Sequence, residues 1–367
     1  MFMSLKNLHQ TTTKKALFFK LLILSWPFYQ LSRLPSVRLY LVDLVVFLTL
    51  LLQLKKIKFS HILLKPLSLF LAAATLSLMV AFISGTGSLV AVLYLSRLFL
   101  YSSLLFISLP KKASLSLLNI SFFIIPILGI LQYLFFPDLR FLKAIGYDDH
   151  YFRLTFPFLD PNFTGAVLSF ISLFSLKSIK KPSSKVLLGL SLVALAFTFS
   201  RISYLSFLVG LVYLILKNQK IRLPLILAAI GLGLLVFLAP KPFGEGVNLK
   251  RTFSITSRVV NLQRGFKLFV ANPITGVGYN TLPFSPLQHS SAGLDNSFIF
   301  VLATTGALGF ISFAYLLFKI WGQLSNPYLK AAFLSLALHS FSNNTLLYAP
   351  ITILIFLSLN LSVRKTP

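Results

Sequence analysis

The chain alternates long apolar runs with short polar interruptions, and the runs have the length of membrane crossings rather than of core strands. A crossing needs about 20 apolar residues, and fewer where flanking charges can snorkel. That rule predicts about twelve helices, over 16–32, 38–54, 61–84, 87–109, 113–136, 161–178, 184–199, 202–217, 222–239, 294–318, 327–343 and 345–362. The pair 184–199 and 202–217 is short and divided only by Ser200–Arg201. Within 240–293 the pattern changes. Residues 254–272 set Val259, Leu262, Phe266 and Phe269 at helical spacing, with Arg258, Arg264 and Lys267 among them. This predicts an amphipathic helix suited to lying on a membrane surface. Asn272–Pro273 ends it, and a glycine-bearing turn follows. The expected fold is all-α: a polytopic transmembrane helical bundle, one integral membrane domain over 1–367, with a large outer loop at 240–293. The first apolar run is followed by Trp26, Tyr29 and Arg33 instead of a small-residue cleavage site, as in a retained first helix.

Composition supports a lipid-facing exterior. Of 367 residues, 56% are hydrophobic and only 11% charged, too little polar surface for a soluble domain of this size. The net charge of +27 would suit nucleic acid if it formed one face. Instead, lysines cluster between apolar runs, at Lys14–Lys15, Lys55–Lys58, Lys111–Lys112, Lys180–Lys181, Lys217–Arg222 and Arg364–Lys365. That is the positive-inside pattern and argues against a nucleic-acid partner. It places both termini and every cluster in the cytoplasm. The other side then receives 137–160, 240–293 and six of the seven acidic residues, with only Asp43 left inside a span. The chain has no cysteine, which excludes thiolate chemistry and disulfides.

Arginine departs from this pattern. Arg140, Arg153, Arg201, Arg251, Arg258 and Arg264 all fall on the outer side, where cations are normally sparse. The guanidinium fork suits phosphate and carboxylate, so an outer anionic ligand is expected. Pairing with outer carboxylates or lipid headgroups is the plainer alternative.

Four motifs lie on that side. Asp160-Pro161-Asn162 opens a span: Asp160 is a natural cap and Pro161 a natural first residue, leaving Asn162 and upstream Arg153 for a ligand. Ser200-Arg201 closes a tight hairpin, where an arginine either snorkels or binds. Arg258 and its helix run into Pro273-Ile274-Thr275-Gly276-Val277-Gly278, a weak glycine signal by itself. Asp295-Asn296 opens the next span, with His289 six residues before, and Gly306 and Gly309 follow. Asp295 either caps that helix or offers a carboxylate.

In this order the motifs resemble the O-antigen ligase and O-antigen polymerase superfamily of bacterial membrane glycosyltransferases. The resemblance extends from about Asp43 to the end. It rests on D/N-P-N at Asp160–Asn162, S-R at Ser200–Arg201, an arginine helix into P-x-x-G-x-G from Arg258 to Gly278, and Asp295, Asn296, Phe298, Gly306 and Gly309. Ligases typically carry histidine where this chain has Asp295, which tilts the resemblance toward a polymerase. It implies a polyprenyl-pyrophosphate-linked saccharide donor, a saccharide or lipid acceptor, surrounding membrane lipid, and a chain-length regulator or flippase as further partners. The place implied is the bacterial cytoplasmic (inner) membrane.

The residues meet the demands of such chemistry independently. Departure of pyrophosphate from an oxocarbenium-like centre builds negative charge that arginines can stabilise. No close acidic pair suggests a nucleotide-sugar metal site, so no metal or other cofactor is expected. Asp295 or His289 is the candidate base, with Arg201 and Arg258 at the leaving group and Arg153, Asn162, Arg264, Asn296, Gly276 and Gly278 as further substrate contacts. One base without a carboxylate nucleophile favours direct displacement with inversion. A lipid-linked oligosaccharide flippase or other transporter is the alternative. It would show repeat symmetry and charges deep in many spans, whereas only Asp43 and Arg97 are clearly intramembrane, and they can pair.

The topology is directly testable. A reporter fused after Lys181 or Lys220 should read as cytoplasmic, and one within 245–290 as external. A cytoplasmic reading from the large loop would overturn the placement of the chemistry.

Overall fold

A computed structural model describes residues 17–34, 39–54, 57, 62–217, 222–241, 244–284 and 293–362. Each of the twelve predicted apolar segments contains one helix. In order they are α1 (17–25), α2 (Leu41–Leu51), α3 (Leu64–Ile83), α4 (Leu89–Ser102), α5 (Lys111–Phe135), α6 (Pro161–Ser175), α7 (Pro182–Phe197), α8 (Arg201–Lys217) and α9 (Arg222–Leu238). The loop helix α10 (Phe253–Ala271) comes next, followed by α11 (Ser297–Gln323), α12 (Pro327–His339) and α13 (Ala349–Ser362). Among the described residues, pairing outside helices amounts to two isolated bridges, Arg33–Tyr40 and Asp138–Tyr151. Three helices, α3, α5 and α11, are long and apolar enough to cross a membrane by length and composition.

Apolar sequence alone does not say which helices are central, because lipid and protein interior are equally apolar. Small residues do. On α6, a Cβ at Gly165 would run into Ser203 of α8. On α8, a Cβ at Gly210 would run into Leu173 of α6. The two backbones therefore approach closely. Both α6 and α13 are buried on nearly all sides. By contrast α9 buries only Leu225, Ala228 and Leu232, and leaves Leu223, Leu227, Phe237 and Leu238 more than half exposed. The two charges expected to pair do so: Arg97 Nε lies 2.9 Å from Asp43 Oδ2, with Tyr29 and Tyr101 donating to the other carboxylate oxygen.

The loop helix behaves as its periodicity predicts. Val259, Leu262 and Phe266 stay exposed, only Gly265 is buried, and a Cβ there would strike Ile299 of α11. The stripe is thus exposed at Val259, Leu262 and Phe266 and half-buried at Phe269, and the side marked by Gly265 rests on α11.

The glycine turn after α10 is built into α11. That helix breaks at Gly306, whose φ of +63° lies in the left-handed region. The opened backbone pairs with the turn: Val277 N–H donates to Ala303 O at 3.0 Å, Gly278 N–H to Thr304 O at 3.1 Å, and Ala307 N–H to Pro273 O at 2.8 Å. A Cβ at Gly276 would overlap the Thr304 carbonyl, and one at Gly306 the Ile274 carbonyl. Gly276→Ala and Gly306→Ala should therefore each destabilise the protein by about 2 kcal/mol or more, through strain plus overlap. Thermal unfolding of the purified variants checks this, and an unchanged midpoint would mean that the turn does not brace α11.

Candidate functional site

The site is assembled where the N-termini of α6, α8 and α11 meet the α12–α13 turn. Asp160 caps α6 as its sequence predicts, accepting from Asn162 N at 2.7 Å and Phe163 N at 2.9 Å, with Pro161 in first position. Asn162 does not project freely. Its Oδ1 accepts from Ser200 Oγ at 2.9 Å, which ties the first motif to the second. Three bulky residues adopt left-handed backbone beside site residues: Phe152 (φ +49°) before Arg153, Leu159 (φ +57°) before Asp160 and Phe199 (φ +48°) before Ser200. Such conformations cost free energy and persist where surrounding contacts force them, as binding sites often do.

Four of the six arginines expected on the outer side converge here, and each is anchored by neutral oxygen. Arg201 donates to Leu249 O at 3.0 Å and Ser254 Oγ at 2.8 Å. Arg251 donates to Gly246 O at 2.7 Å and Phe199 O at 3.1 Å. Arg258 donates to Ser342 O at 2.9 Å and Asn343 Oδ1 at 3.3 Å. Arg153 donates to Thr198 O at 2.9 Å, and its buried Nη2 has no partner among the described residues. None of these four forms an ion pair among the described residues, unlike Arg140, which pairs with Asp138 at 2.6 Å. Burial pushes the Arg258 guanidinium down; Asp295 pulls it back up and Arg201 pushes it down again. Arg251 is likewise lowered by burial and then by Arg201 and Arg258. These mutual effects show that the cations feel one another. Guanidinium stays charged, so four cations against two carboxylates leave the cluster with net positive charge. Asp160 and Asp295 are the carboxylates within its field.

Asp295 is not the helix cap. That role falls to Asn296, whose Oδ1 accepts from Phe298 N at 2.8 Å and Ile299 N at 3.1 Å while its Nδ2 donates to Phe341 O at 2.9 Å. The reason is register: α11 starts at Ser297, one residue later than a cap at Asp295 requires. Asp295 is left half-buried, its Oδ2 accepting from Asn261 Nδ2 of α10 at 2.8 Å. Burial raises its pKa above the ordinary aspartate value, with the Asn261 bond and Arg258 pulling it back. The carboxylate stands between two cavities. One, of about 270 Å³, holds Arg258, Asn261 and Ser342; the other, of about 340 Å³, holds Tyr40, Tyr94, Arg97 and Tyr348.

Other expected residues fall differently. Arg264 is half-buried on α10, six residues beyond Arg258. Gly276 and Gly278 sit at the α11 break with the bracing role described above. His289 lies outside the described residues. Among the described residues, no three His, Cys, Asp or Glu side chains form a group that could hold a metal ion.

Several participants escaped sequence reading. Buried His339 links Ser203 Oγ, at 3.2 Å from Nε2, to Thr345 Oγ1, at 2.6 Å from Nδ1. Ser203 in turn bonds Ser200 at 2.8 Å, so a polar chain runs from Asn162 to the turn that holds Arg258. The available signal was the polar run His339-Ser340-Phe341-Ser342-Asn343-Asn344-Thr345 between two apolar segments. Arg251 was visible as an outer arginine but belongs to no motif.

Residues 186–314 match the model of the family described as O-antigen ligase, so the resemblance read from the motifs holds. The matched stretch contains Arg201, Arg258 and Asp295, and begins after Asp160 and Asn162. No curated protein matches the chain.

The division of labour at 295–296 predicts opposite stability effects. Asn296→Ala should cost about 1–2 kcal/mol, the scale of a lost cap. Asp295→Asn should stay within about 0.5 kcal/mol, since the amide oxygen can still accept from Asn261. Thermal unfolding of both variants decides it, and the reverse order would restore Asp295 as a structural residue.

Proposed function

We propose that this O-antigen-ligase-like membrane protein is a glycosyltransferase. It takes a saccharide from a polyprenyl-pyrophosphate carrier and gives it to an acceptor hydroxyl at the outer face of the bacterial cytoplasmic membrane. The observation that carries this reading is the set of arginines held by carbonyl and amide oxygens beside one half-buried carboxylate. Carbonyl anchors fix the forks without cancelling their charge, as an anionic ligand requires. The N-termini of α6 and α8 add partial positive charge at the same place. The exposed apolar stripe of α10 suits contact with the membrane that carries the donor.

In the step proposed, the acceptor hydroxyl oxygen attacks the anomeric carbon and the bond from that carbon to the pyrophosphate oxygen breaks. The electron pair leaves with the pyrophosphate, whose growing charge Arg201 and Arg258 meet. The hydroxyl proton passes to the Asp295 carboxylate. One displacement inverts the anomeric centre. The arginines supply the charge stabilisation, so the scheme calls on no metal. Bringing two membrane-held substrates together supplies a further share of the acceleration. Aspartate at position 295, where related ligases typically carry histidine, favours a polymerase over a ligase.

Purified protein given lipid-linked oligosaccharide, without ATP or a gradient, should lengthen it. Transfer to a non-carrier acceptor would mean a ligase, and bare translocation a transporter. Asp295→Asn should lose at least about 100-fold in rate, the scale of a general base, whereas Asp295→His keeps some activity. Arg201→Lys and Arg258→Lys should rescue the corresponding alanine variants poorly, because a point charge cannot copy a fork. A base must be deprotonated to act. The raised pKa of Asp295 therefore sets the acidic limb of the rate profile above that of an ordinary aspartate, and activity falls as pH drops through it. Full activity in Asp295→Asn would remove this residue from the mechanism.

A further inference from the structure

The cavity on the far side of Asp295 differs chemically from the arginine side. Its cation, Arg97, is matched at 2.9 Å by Asp43, and both are buried. Apart from Asp295 its lining is therefore neutral overall, and it is rich in tyrosine. Arg97 lies 4.9 Å from the centroid of the Tyr40 ring and 5.1 Å from that of Tyr94, while Tyr348 stacks on Phe163 at 3.9 Å. Arg97 thus takes up one face of Tyr94, and Phe163 one face of Tyr348, leaving the other face of each ring for a ligand. A neutral wall of aromatic faces with polar edges offers an anion little. It suits a polyhydroxyl ring, whose C–H face packs on the negative face of an aromatic ring while its hydroxyls reach polar tips.

A second observation points to a ligand. Asn344 lines this cavity, and its buried Oδ1 has no hydrogen-bond partner among the described residues. Its neighbour Asn343 faces the other way, accepting from Arg258. One dipeptide in the α12–α13 turn thus serves both sides of Asp295. A buried amide oxygen left without a donor costs free energy, and a sugar hydroxyl would relieve it. At about 340 Å³ the cavity lies at the small end of ligand pockets, enough for a saccharide end rather than a long chain.

We propose that this tyrosine-lined cavity is a saccharide subsite that holds the terminal sugar of the acceptor, with Asn344 and Tyr94 as contacts and Asp295 at its mouth. The acceptor assignment rests on the transferase reading above; the binding of a saccharide does not. In that arrangement the acceptor hydroxyl reaches the carboxylate from one cavity while the donor reaches it from the other.

The test is direct binding by the full chain in lipid nanodiscs. The probes are carrier-free oligosaccharides of two to six sugars, cut from the surface polysaccharide of the cells that carry the gene, and saturation-transfer NMR is the readout. Wild type should bind, and Tyr94→Ala and Asn344→Ala should each weaken binding at least about tenfold, a change of about 1.4 kcal/mol. Tyr94→Phe should retain binding, since the stacking face is intact, which also guards against mere misfolding. Arg201→Ala should retain it too, because that residue belongs to the donor side. No binding by wild type, equal binding by both alanine variants, or loss in Arg201→Ala instead would each overturn the subsite. Failure of the transferase reading is separable: oligosaccharide would still bind, dependent on Tyr94 and Asn344, in a protein that never lengthens lipid-linked chains.

Discussion

The structure depends on how four guanidinium groups are held at one end of an apolar bundle. Arg153, Arg201, Arg251 and Arg258 are fastened by backbone carbonyls and by serine or asparagine oxygens, and none meets a carboxylate among the described residues. Such anchors fix geometry and leave charge. They also constrain the chain that supplies them. The carbonyls of Thr198 and Phe199 point at two different arginines, which requires the tight α7–α8 link and the left-handed backbone at Phe199. Like charges gathered this way repel, and burial adds to the cost. An anionic ligand would relieve both, and that is the physical ground on which the proposed binding role of the arginine cluster stands.

Asp295 gains its meaning from this surrounding charge. It belongs to the entrance of α11, yet Asn296 caps that helix, and Asp295 is held from the other side by Asn261 of the loop helix. The turn that follows the loop helix is locked into the break of α11 at Gly306. Loop helix, glycine turn and α11 therefore form one braced unit, and the carboxylate sits in it at the border between the cavity that holds Arg258 and the tyrosine-lined one. Rigid placement matters because a misplaced base loses much of its value.

Much of this was legible in the sequence. Apolar run length located a described helix in each predicted segment, three of them long and apolar enough to cross a membrane, and the D-P-N start placed the Asp160 cap. The amphipathic period marked α10 and its exposed stripe. What was not legible required knowledge of register or of distant contact. A shift of one residue moved the cap from Asp295 to Asn296. The bracing by Gly276 and Gly278 was hidden too, because a weak glycine pattern cannot show that the facing segment is a broken helix. The tyrosine cavity joins Tyr40, Tyr94 and Tyr348, far apart in apolar stretches where aromatic residues carry no distinguishing period. The His339 relay was hidden for the same reason: its partners, Ser203 and Thr345, lie on different elements.

The central claim is that the arginine cluster grips a pyrophosphate while Asp295 faces the carbon it leaves. The most direct measurement is an experimental structure of the protein in lipid, bound to a non-transferable phosphonate analogue of a polyprenyl-pyrophosphate saccharide. The account predicts the two phosphorus centres within hydrogen-bond reach of the Arg201 and Arg258 forks, and the anomeric carbon on the Asp295 side. Phosphorus density away from these two arginines would contradict it.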